Sequence, residues 1–327
     1  MRTTQEEKPQ TRSRQSDTVG LRLQPQSWQL DTAISHPVPR AERPVSSIQV
    51  PVSSIKQVLR EAATRLRPVT DVPRLEAEIL LAHVLGTSRT AVLAHPERAL
   101  TTSQRAHYQD LIRRRAFGYP LPYLTGHTEF YGLAFEVTPE VLIPRPDTET
   151  LVDLALAREP ATVVDVGTGS GCIAVSLAVH LPEALVYAVE ISSAALAVAQ
   201  RNVERHGVAE RIRLMIGNVL SPRPGPVDLI VSNPPYVPTG KCASLPASVR
   251  DHEPRLALDG GLDGLEIIQR LMAQAPAVLR PGGGLLVEIG ADQGKAAVYL
   301  ARTYFPDATI RVRPDLAGRD RVLEVQT

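Results

Sequence analysis

The pattern of apolar and polar positions along this chain changes near residue 160. Beyond that point short apolar runs alternate with amphipathic segments, and strands are predicted at 161–166, 185–189, 212–216, 227–231, 284–289, 308–313 and 320–326. Helices are predicted at 171–180, 192–206, 265–279 and 293–304, and an irregular segment at 237–263. Strict alternation of strand and helix indicates a helix-covered parallel sheet. The sequence therefore predicts an α/β domain over 144–327 with a seven-stranded, mostly parallel, Rossmann-like sheet.

Before that domain, apolar residues recur at helical spacing. The start and stop signals are Ser53 or Ser54, Pro73, Gly86, Ser88 and the capping-box pair Thr101 and Gln104. Hydroxyl side chains accept hydrogen bonds from first-turn amides, Pro suits a first turn, and Gly can end a helix in the left-handed conformation. We predict a small all-helical N-terminal domain over 51–119, with a role in substrate recognition.

A β-hairpin linker is predicted over 120–143. Phe135 and Val137 alternate with polar residues, and Thr138-Pro139-Glu140 has the composition of a turn. The stretch 144–149 then leads into a helix, for which Asp147 or Thr148 is the predicted N-cap.

Residues 1–50 mix Gln, Ser, Arg and Pro without any helical or alternating period. Such composition predicts a disordered extension. A mitochondrial transit peptide is the alternative, because Arg and Ser are abundant. The acidic residues Glu6, Glu7, Asp17 and Asp31 argue against it.

Composition limits the classes of partner that this protein is expected to bind. The 327 residues are 43% apolar and carry a formal net charge of +1, so no strong field marks a membrane-surface or direct nucleic-acid binder. No apolar run reaches the length of about 20 residues that spans a bilayer, and no secretory signal is visible, so we expect a cytoplasmic protein, and a monomer. Cys172 and Cys242 form neither a disulfide framework nor a zinc spacing, and no metal site is expected.

A glycine-rich loop follows the first strand of the sheet and opens its first helix. The sequence is Asp165-Val166-Gly167-Thr168-Gly169-Ser170-Gly171. Alternate glycines let the backbone approach a ligand closely, and amides at a helix N-terminus favour anionic groups. Counted from Gly169, with Ala174 in the third place, the loop also meets the looser dinucleotide pattern.

Glu190 ends the second strand, nineteen positions after Gly171. A carboxylate at that place can accept hydrogen bonds from both hydroxyls of a ribose. Together with the glycine loop, it predicts a nucleoside-containing cofactor.

The tetrapeptide Asn233-Pro234-Pro235-Tyr236 follows the fourth strand. Its prolines fix the backbone at a carboxyl strand end, where open α/β sheets bind ligands. Asn233 can present a side-chain carbonyl, Pro234 a backbone carbonyl and Tyr236 a flat aromatic face to one small volume. Such a site suits a planar N–H₂ group.

The glycine loop, Glu190 and the tetrapeptide together resemble the class I S-adenosylmethionine-dependent methyltransferases that act on a planar amino or amide nitrogen. The segments 142–149, 253–265 and 315–321 resemble the release-factor glutamine methyltransferases, and the similarity covers about residues 53–327. The resemblance implies methyl transfer from S-adenosyl-L-methionine, with S-adenosyl-L-homocysteine as product. The acceptor it implies is the glutamine N5 of the Gly-Gly-Gln motif in peptide chain release factors 1 and 2.

The resemblance also assigns site residues. The cofactor residues it implies are Gly167, Thr168, Gly169, Ser170, Gly171, Glu190, Asn218, Val219 and Asn233. The substrate residues are Asn233, Pro234, Pro235 and Tyr236, of which Asn233, Pro234 and Tyr236 are the catalytic ones. Related enzymes often carry Asp at position 218 and a larger aromatic at 219, so Asn218 and Val219 depart from the pattern. An Asn can still accept a hydrogen bond from the adenine amino group, but without charge, which predicts weaker cofactor binding.

The expected mechanism is one of positioning. Two carbonyls that accept the amide N–H bonds would aim the nitrogen at the methyl group, and Tyr236 would stack on the amide. We expect no general base, and we predict that His252 is a solvent-facing loop residue.

Three alternatives stay open at this point. A ribosomal-protein glutamine methyltransferase would share the chemistry, but the 144–149 stretch and the helical domain favour release factors. An adenine-N6 methyltransferase could use the same tetrapeptide on a flipped base, against which the near-neutral charge speaks. A non-catalytic module that binds translation factors is disfavoured by the intact glycine loop.

Overall fold

The computed structural model of the chain describes residues 54–222 and 225–327, so the predicted extension over 1–50 lies outside the described residues. Five helices precede the first strand: α1 (Ile55–Leu66), α2 (Pro73–Leu85), α3 (Arg89–Ala94), α4 (Thr102–Ala116) and α5 (Leu121–Thr125). Within the described parts, no helix is both long and apolar enough to cross a membrane.

The predicted helix signals of this region are confirmed. The Ser54 side chain caps α1, and Thr101 and Gln104 form a reciprocal capping box at the start of α4. Gly86 ends α2 with φ at 58°, in the left-handed region. The apolar faces of α1, α2 and α4 share one core around Leu59, Leu80 and Leu111.

A short antiparallel hairpin follows, formed by β1 (His127–Phe130) and β2 (Leu133–Glu136). Its turn lies at Tyr131 and Gly132. Both turn residues have positive φ, 51° and 70°, which matches the twist of a two-residue hairpin loop. The turn predicted at Thr138-Pro139-Glu140 is present, since the Val141 amide donates to the Thr138 carbonyl at 3.1 Å, but it follows the hairpin and does not connect its strands. Gly132 was the signal for the hairpin turn in the sequence.

The remaining elements build the sheet domain. The strands are β3 (Thr162–Val166), β4 (Leu185–Glu190), β5 (Ile212–Ile216), β6 (Val227–Ser232), β7 (Leu279–Glu288), β8 (Thr309–Pro314) and β9 (Asp320–Gln326). The helices are α6 (Glu149–Leu156), α7 (Cys172–His180), α8 (Ser193–Arg205), α9 (Ala247–Arg250), α10 (Glu266–Gln274) and α11 (Gly294–Tyr304).

These strands form one seven-stranded sheet in the order β5-β4-β3-β6-β7-β9-β8. The neighbours from β5 to β7 pair in parallel, and β9 pairs antiparallel with β7 and β8. The predicted seven-stranded, mostly parallel sheet is therefore confirmed. From β3 the chain continues to β4 and β5 on one side of the sheet and then crosses to β6 on the other side of β3. This reversal creates the crevice in which such sheets bind ligands.

Both faces of the sheet are buried, as expected for parallel strands under helices. Successive strand residues point to opposite faces, so Val163 and Leu229 join one core cluster with α6 and α7. Val164 and Ile230 join the other cluster with α10 and α11. The sheet is thereby held rigid under the loops at its carboxyl edge.

Two local expectations fail. The helix predicted to reach residue 279 ends at Gln274, because Pro276 lies in a 3-10 turn and Leu279 already starts β7. Neither Asp147 nor Thr148 caps α6 with its side chain, since a 3-10 turn over Pro146–Thr148 leads directly into the helix. Both side chains make longer-range contacts instead.

Candidate active site

A cavity of about 290 Å³ opens at the carboxyl ends of β3, β4 and β6. Most residues predicted for the site line it: Gly167, Thr168, Gly169, Ser170, Glu190, Asn218, Val219, Asn233, Pro234 and Pro235. The cavity lies at the point where the strand order reverses, which is the expected ligand position in an open α/β sheet. Gly171 and Tyr236 are not part of its wall.

The glycine loop is anchored to the sheet by its own backbone. The amides of Gly167 and Thr168 donate to the Val189 carbonyl of β4 at 2.8 and 3.1 Å. Gly167 and Gly169 have φ angles of 73° and 57°, which glycine adopts without steric cost. The turn therefore keeps its shape while it lines the cavity.

Asp165 holds the loop from below. Its Oδ2 accepts from the Thr168 hydroxyl at 2.6 Å and from the Ala174 amide at 3.2 Å. Burial raises the pKa of this carboxyl to about 7. Its Oδ1 and the Ser170 hydroxyl are buried without a hydrogen-bond partner in the parts of the chain that the structure describes. Because Ser170 lines the cavity, this end fits the polar, amino-acid end of a bound molecule.

Gly171, a predicted cofactor residue, lies where two helices approach each other. It precedes α7 with φ at 81°, and a Cβ there would lie 3.3 Å from the Ala199 Cβ of α8. The glycine is required because α7 and α8 approach closely at this point. Its role as a cofactor residue stays a prediction.

Glu190 lines the cavity with a fixed carboxylate. Oε2 accepts from the Gly169 amide and Oε1 from the Ser192 amide, both at 2.9 Å. Each carboxylate oxygen has two lone pairs, so both can still accept a hydroxyl. The geometry is suited to a ribose, and the ribose contact itself stays a prediction.

Asn218 and Val219 form a strained turn on the far wall. Asn218 Oδ1 accepts from the Arg270 guanidinium at 2.6 Å, and Arg270 also lines the cavity. Val219 has φ at 58°, a conformation that β-branched residues rarely adopt. Arg270, which the sequence analysis did not identify, thus uses one lone pair of the oxygen predicted to meet the adenine amino group.

The tetrapeptide joins a buried chain of hydrogen bonds. Asn233 Nδ2 donates to Thr148 Oγ1 at 3.1 Å, and Thr148 Oγ1 donates to Glu288 Oε2 at 2.7 Å. The Tyr236 hydroxyl donates to Glu288 Oε1 at 3.3 Å. The sequence predicts Thr148 as a helix cap and assigns no role to Glu288. A carboxylate at the end of the apolar run 284–289 was the available signal.

Tyr236 is placed differently from the expectation. Its ring packs against the core cluster shared with α10 and α11, and its face does not form part of the cavity wall. Burial raises its pKa to about 12, with the Glu288 charge acting in the same direction, so the phenol is neutral.

The segment 253–265 packs directly on the tetrapeptide. A Cβ on Gly260 would lie 2.5 Å from the Pro235 carbonyl oxygen, and one on Gly264 would lie 2.3 Å from that of Tyr236. Any side chain at these two positions would displace the tetrapeptide. The glycines are therefore part of the support for the site.

The segment 142–149 is tied to the same loop. Glu253 is 6% exposed and accepts from the Ile143 amide at 3.2 Å and from the Arg145 guanidinium. His252 does not line the cavity, and its ring packs 4.8 Å from that of Tyr119. The predicted solvent-facing histidine thus contacts the helical region, which leaves it away from the reacting volume.

Two family models match the chain: the PrmC N-terminal domain over residues 57–126 and the methyltransferase small domain over 146–248. The release factor glutamine methyltransferase of Moorella thermoacetica is 50% identical over 82% of this chain and 96% of the relative. The protein of the same name from Geobacter sulfurreducens is 47% identical, over 76% and 88%. A solved methyltransferase from Pyrococcus furiosus aligns with a TM-score of 0.47 and 18% identity, over 69% of this chain and 98% of that one. With half of the aligned residues identical over nearly the whole length of a curated relative, the chain belongs to the family of release factor glutamine methyltransferases.

Proposed function

We propose that this protein methylates the side-chain nitrogen, N5, of the glutamine in the Gly-Gly-Gln motif of peptide chain release factors 1 and 2, in the cytoplasm. The methyl donor is S-adenosylmethionine. One observation supports the proposal above the others. The Asn233 amide is bound through its nitrogen to Thr148, so its oxygen and the Pro234 carbonyl remain as a pair of acceptors at the cavity.

The residues that would hold the donor follow from the cavity wall. Residues 167–170 would enclose its amino-acid end, Glu190 its ribose, and Asn218 with Arg270 its adenine. The bound sulfonium supplies an electrophilic methyl group. Val219 also lines the cavity, and Gly171 would act through backbone shape.

Asn233 and Pro234 would activate the substrate by orientation. An amide nitrogen is a poor nucleophile because its lone pair is delocalised into the carbonyl. If each carbonyl accepts one N–H, the out-of-plane face of the nitrogen is aimed along one line, which can lower a barrier by up to roughly 7–11 kcal/mol in the best intramolecular models.

The same two carbonyls would stabilise the positive charge that grows on the nitrogen as the new bond forms. The proton leaves after that charge has developed, so no strong base is needed at the start. No donor in the described residues occupies Asn233 Oδ1 or the Pro234 oxygen. The stacking of Tyr236 on the amide stays a prediction.

The helical region 51–119 is proposed to bind the release factor. It reaches the site through Tyr119, whose ring packs against His252 directly before the buried Glu253. A bound partner could therefore be presented to the cavity from this side.

The test incubates the protein with S-adenosylmethionine carrying a radioactive methyl group and, separately, with a release factor, a ribosomal-protein fraction and DNA. A release factor whose Gly-Gly-Gln glutamine is replaced by alanine is the matched control. We expect label in the native release factor alone. Label in DNA only, in ribosomal protein only, or equally in the alanine control would refute the proposal.

A further inference from the structure

Glu288 ends β7 beside the tetrapeptide and plays no part in the mechanism above. The register pairs Ser232 of β6 with Val287, so Glu288 lies level with Asn233 on the next strand. The residue is 1% exposed. Among the described residues it forms no ion pair. The Arg321 guanidinium binds Asp147 and Asp315 through one terminal nitrogen, and its Nε is buried without a hydrogen-bond partner among those residues. A buried carboxylate without an ion pair is costly, so its neighbours must satisfy it in another way.

Two hydroxyls satisfy it. Thr148 Oγ1 is 2.7 Å from Oε2, and the Tyr236 hydroxyl is 3.3 Å from Oε1. An ionised carboxylate only accepts hydrogen bonds, so both hydroxyls must donate to it. Thr148 has a single hydroxyl hydrogen, and this bond uses it.

The remaining contact of Thr148 is then determined. Its oxygen can only accept from Asn233, and the Asn233 amide lies 3.1 Å away. The amide must therefore present its N–H₂ to Thr148. Its oxygen consequently faces the opposite direction, at the cavity that Asn233 lines.

We propose that Glu288 is a positioning residue: through Thr148, its carboxylate sets the direction of the hydrogen bonds and holds the Asn233 oxygen toward the substrate. The inference rests on the proposed function, because it concerns the acceptor that would bind the glutamine amide. The Asn233 side chain alone has two nearly isosteric orientations, and one of them presents a donor to a substrate that is itself a donor.

Protonation of Glu288 would allow the reverse arrangement. A carboxylic acid can donate to Thr148, Thr148 can then donate to Asn233 Oδ1, and the N–H₂ group would turn into the cavity. Repulsion between the two N–H₂ groups would turn the glutamine amide of the bound substrate away from the methyl group, so the complex would form and react slowly. The proposal therefore predicts that kcat falls on the acid side as Glu288 takes up a proton.

The surroundings place that titration above the usual range. Burial raises the pKa of Glu288. The Arg321 guanidinium, the Tyr236 phenol and the Thr148 hydroxyl face Glu288 and favour its ionised form. The Asp147 carboxylate favours the protonated form. The Cys172 thiol of α7 also faces Glu288.

The first test separates the hydroxyl of Thr148 from its shape. Thr148→Val keeps the volume and removes the link, and we expect kcat to fall by about 10- to 100-fold while the KM for S-adenosylmethionine changes little. Thr148→Ser restores the hydroxyl and should return kcat to within about threefold of the native value. A Thr148→Val enzyme with native kcat, or a Thr148→Ser enzyme as slow as Thr148→Val, would overturn the proposal.

Thr162→Val is the matched control. Thr162 donates to a carboxylate oxygen of Asp228 at 2.8 Å, at the amino end of β3 and away from the cavity. We expect this variant to lose stability and keep its kcat. An equal loss of kcat in both valine variants would show that the effect is structural.

The second test follows the pH profile of kcat in Glu288→Gln. A glutamine can accept from Thr148 with its oxygen and donate to Tyr236 with its nitrogen at every pH. We expect kcat within about tenfold of native at pH 8 and no acid limb. An unchanged acid limb would contradict the inference. These results are separable from failure of the proposed function, in which the native enzyme itself would leave the release factor unlabelled.

Discussion

A buried glutamate and a half-buried glutamate on neighbouring strands show how one side chain serves two purposes in this protein. Glu288 of β7 and Glu324 of β9 lie on the same face of the sheet, because Leu286 is directly opposite Glu324 and two residues before Glu288. Thr148, directly before α6, binds the first carboxylate. Arg158, just after α6, binds the second at 2.7 Å.

The partners of the two carboxylates differ in kind. Glu324 is held by Arg158 and by Arg313 at 2.5 Å. Although burial favours the protonated form, these guanidinium groups hold the pKa of Glu324 below its usual value. Burial moves the pKa of Glu288 upward, and its hydrogen-bond partners are hydroxyls.

An arginine donates whatever its neighbour does, so the Glu324 cluster is a fixed tie between β9, β8 and the end of α6. A hydroxyl both donates and accepts, so the Glu288 cluster has a direction that depends on the carboxylate. The hydroxyl partners of Glu288 thus suit a carboxylate that sets the direction of hydrogen bonds in the site, and the arginine partners of Glu324 suit a carboxylate that stabilises the fold.

The strongest test of this distinction removes the side chain of Asn233, which ends the chain of hydrogen bonds from Glu288 through Thr148. We expect Asn233→Ala to lower kcat by at least about 100-fold, because one of the two acceptors for the developing charge is lost. Isothermal titration with S-adenosylmethionine should give a Kd close to native. Full activity in the variant would show that the Asn233 oxygen is not needed to hold the substrate amide. Loss of S-adenosylmethionine binding would show that Asn233 acts on the cofactor.

Glu324→Gln tests the structural side. Loss of the charged hydrogen bonds to Arg158 and Arg313 should lower the free energy of unfolding by about 1–3 kcal/mol, measured by urea denaturation. The kcat should stay native, since Arg158 and Arg313, which bind Glu324 in the described part of the chain, do not line the cavity. A loss of kcat as large as that of Thr148→Val would break the comparison.

The pH dependence of stability should have opposite signs at the two sites. The folded-state pKa of Glu288 lies above its ordinary value of 4.5. Its contribution to stability therefore falls as pH rises from 4.5 through the folded-state pKa. The folded-state pKa of Glu324 lies below 4.5, so its contribution is present above that value and is lost as pH falls through the folded pKa.

Urea titrations of the native protein and of each Gln variant across pH give the two difference curves. The native-minus-Glu288→Gln curve should decline as pH rises above about 4.5, and the native-minus-Glu324→Gln curve should rise with pH below that value. Parallel curves would show that the two carboxylates are equivalent.

The smallest effect is expected for Tyr236→Phe. The hydroxyl lies at the long distance of 3.3 Å from Glu288, so its loss should reduce kcat by only roughly two- to fivefold. The acid limb of kcat should move to higher pH, because one donor to the carboxylate is gone. Tyr187→Phe on β4 is the control, since the Tyr187 hydroxyl makes no hydrogen bond within 54–222 and 225–327, and its profile should match native. Identical pH profiles of kcat for the two variants would show that the Tyr236 hydroxyl does not affect the titration of Glu288.

Local patterns in the sequence determined most of the fold. Apolar runs of strand length located the seven strands, and capping signals such as Ser54 and Thr101 located helix starts within a residue. These features depend on neighbours a few positions apart, which the chain itself displays. The hairpin turn was misplaced because Tyr131 in a left-handed conformation is a choice that only the paired strands impose.

The sequence by itself also predicted the glycine loop, Glu190 and the tetrapeptide, since each lies at the carboxyl end of a strand. Only the tertiary structure decided what supports them. Thr148 is separated from Glu288 by 140 residues and from Asn233 by 85, and their hydrogen bonds exist because β6 and β7 pair side by side under the start of α6. A buried polar chain of this kind is assembled by packing over long sequence distances, and no period in the sequence carries it.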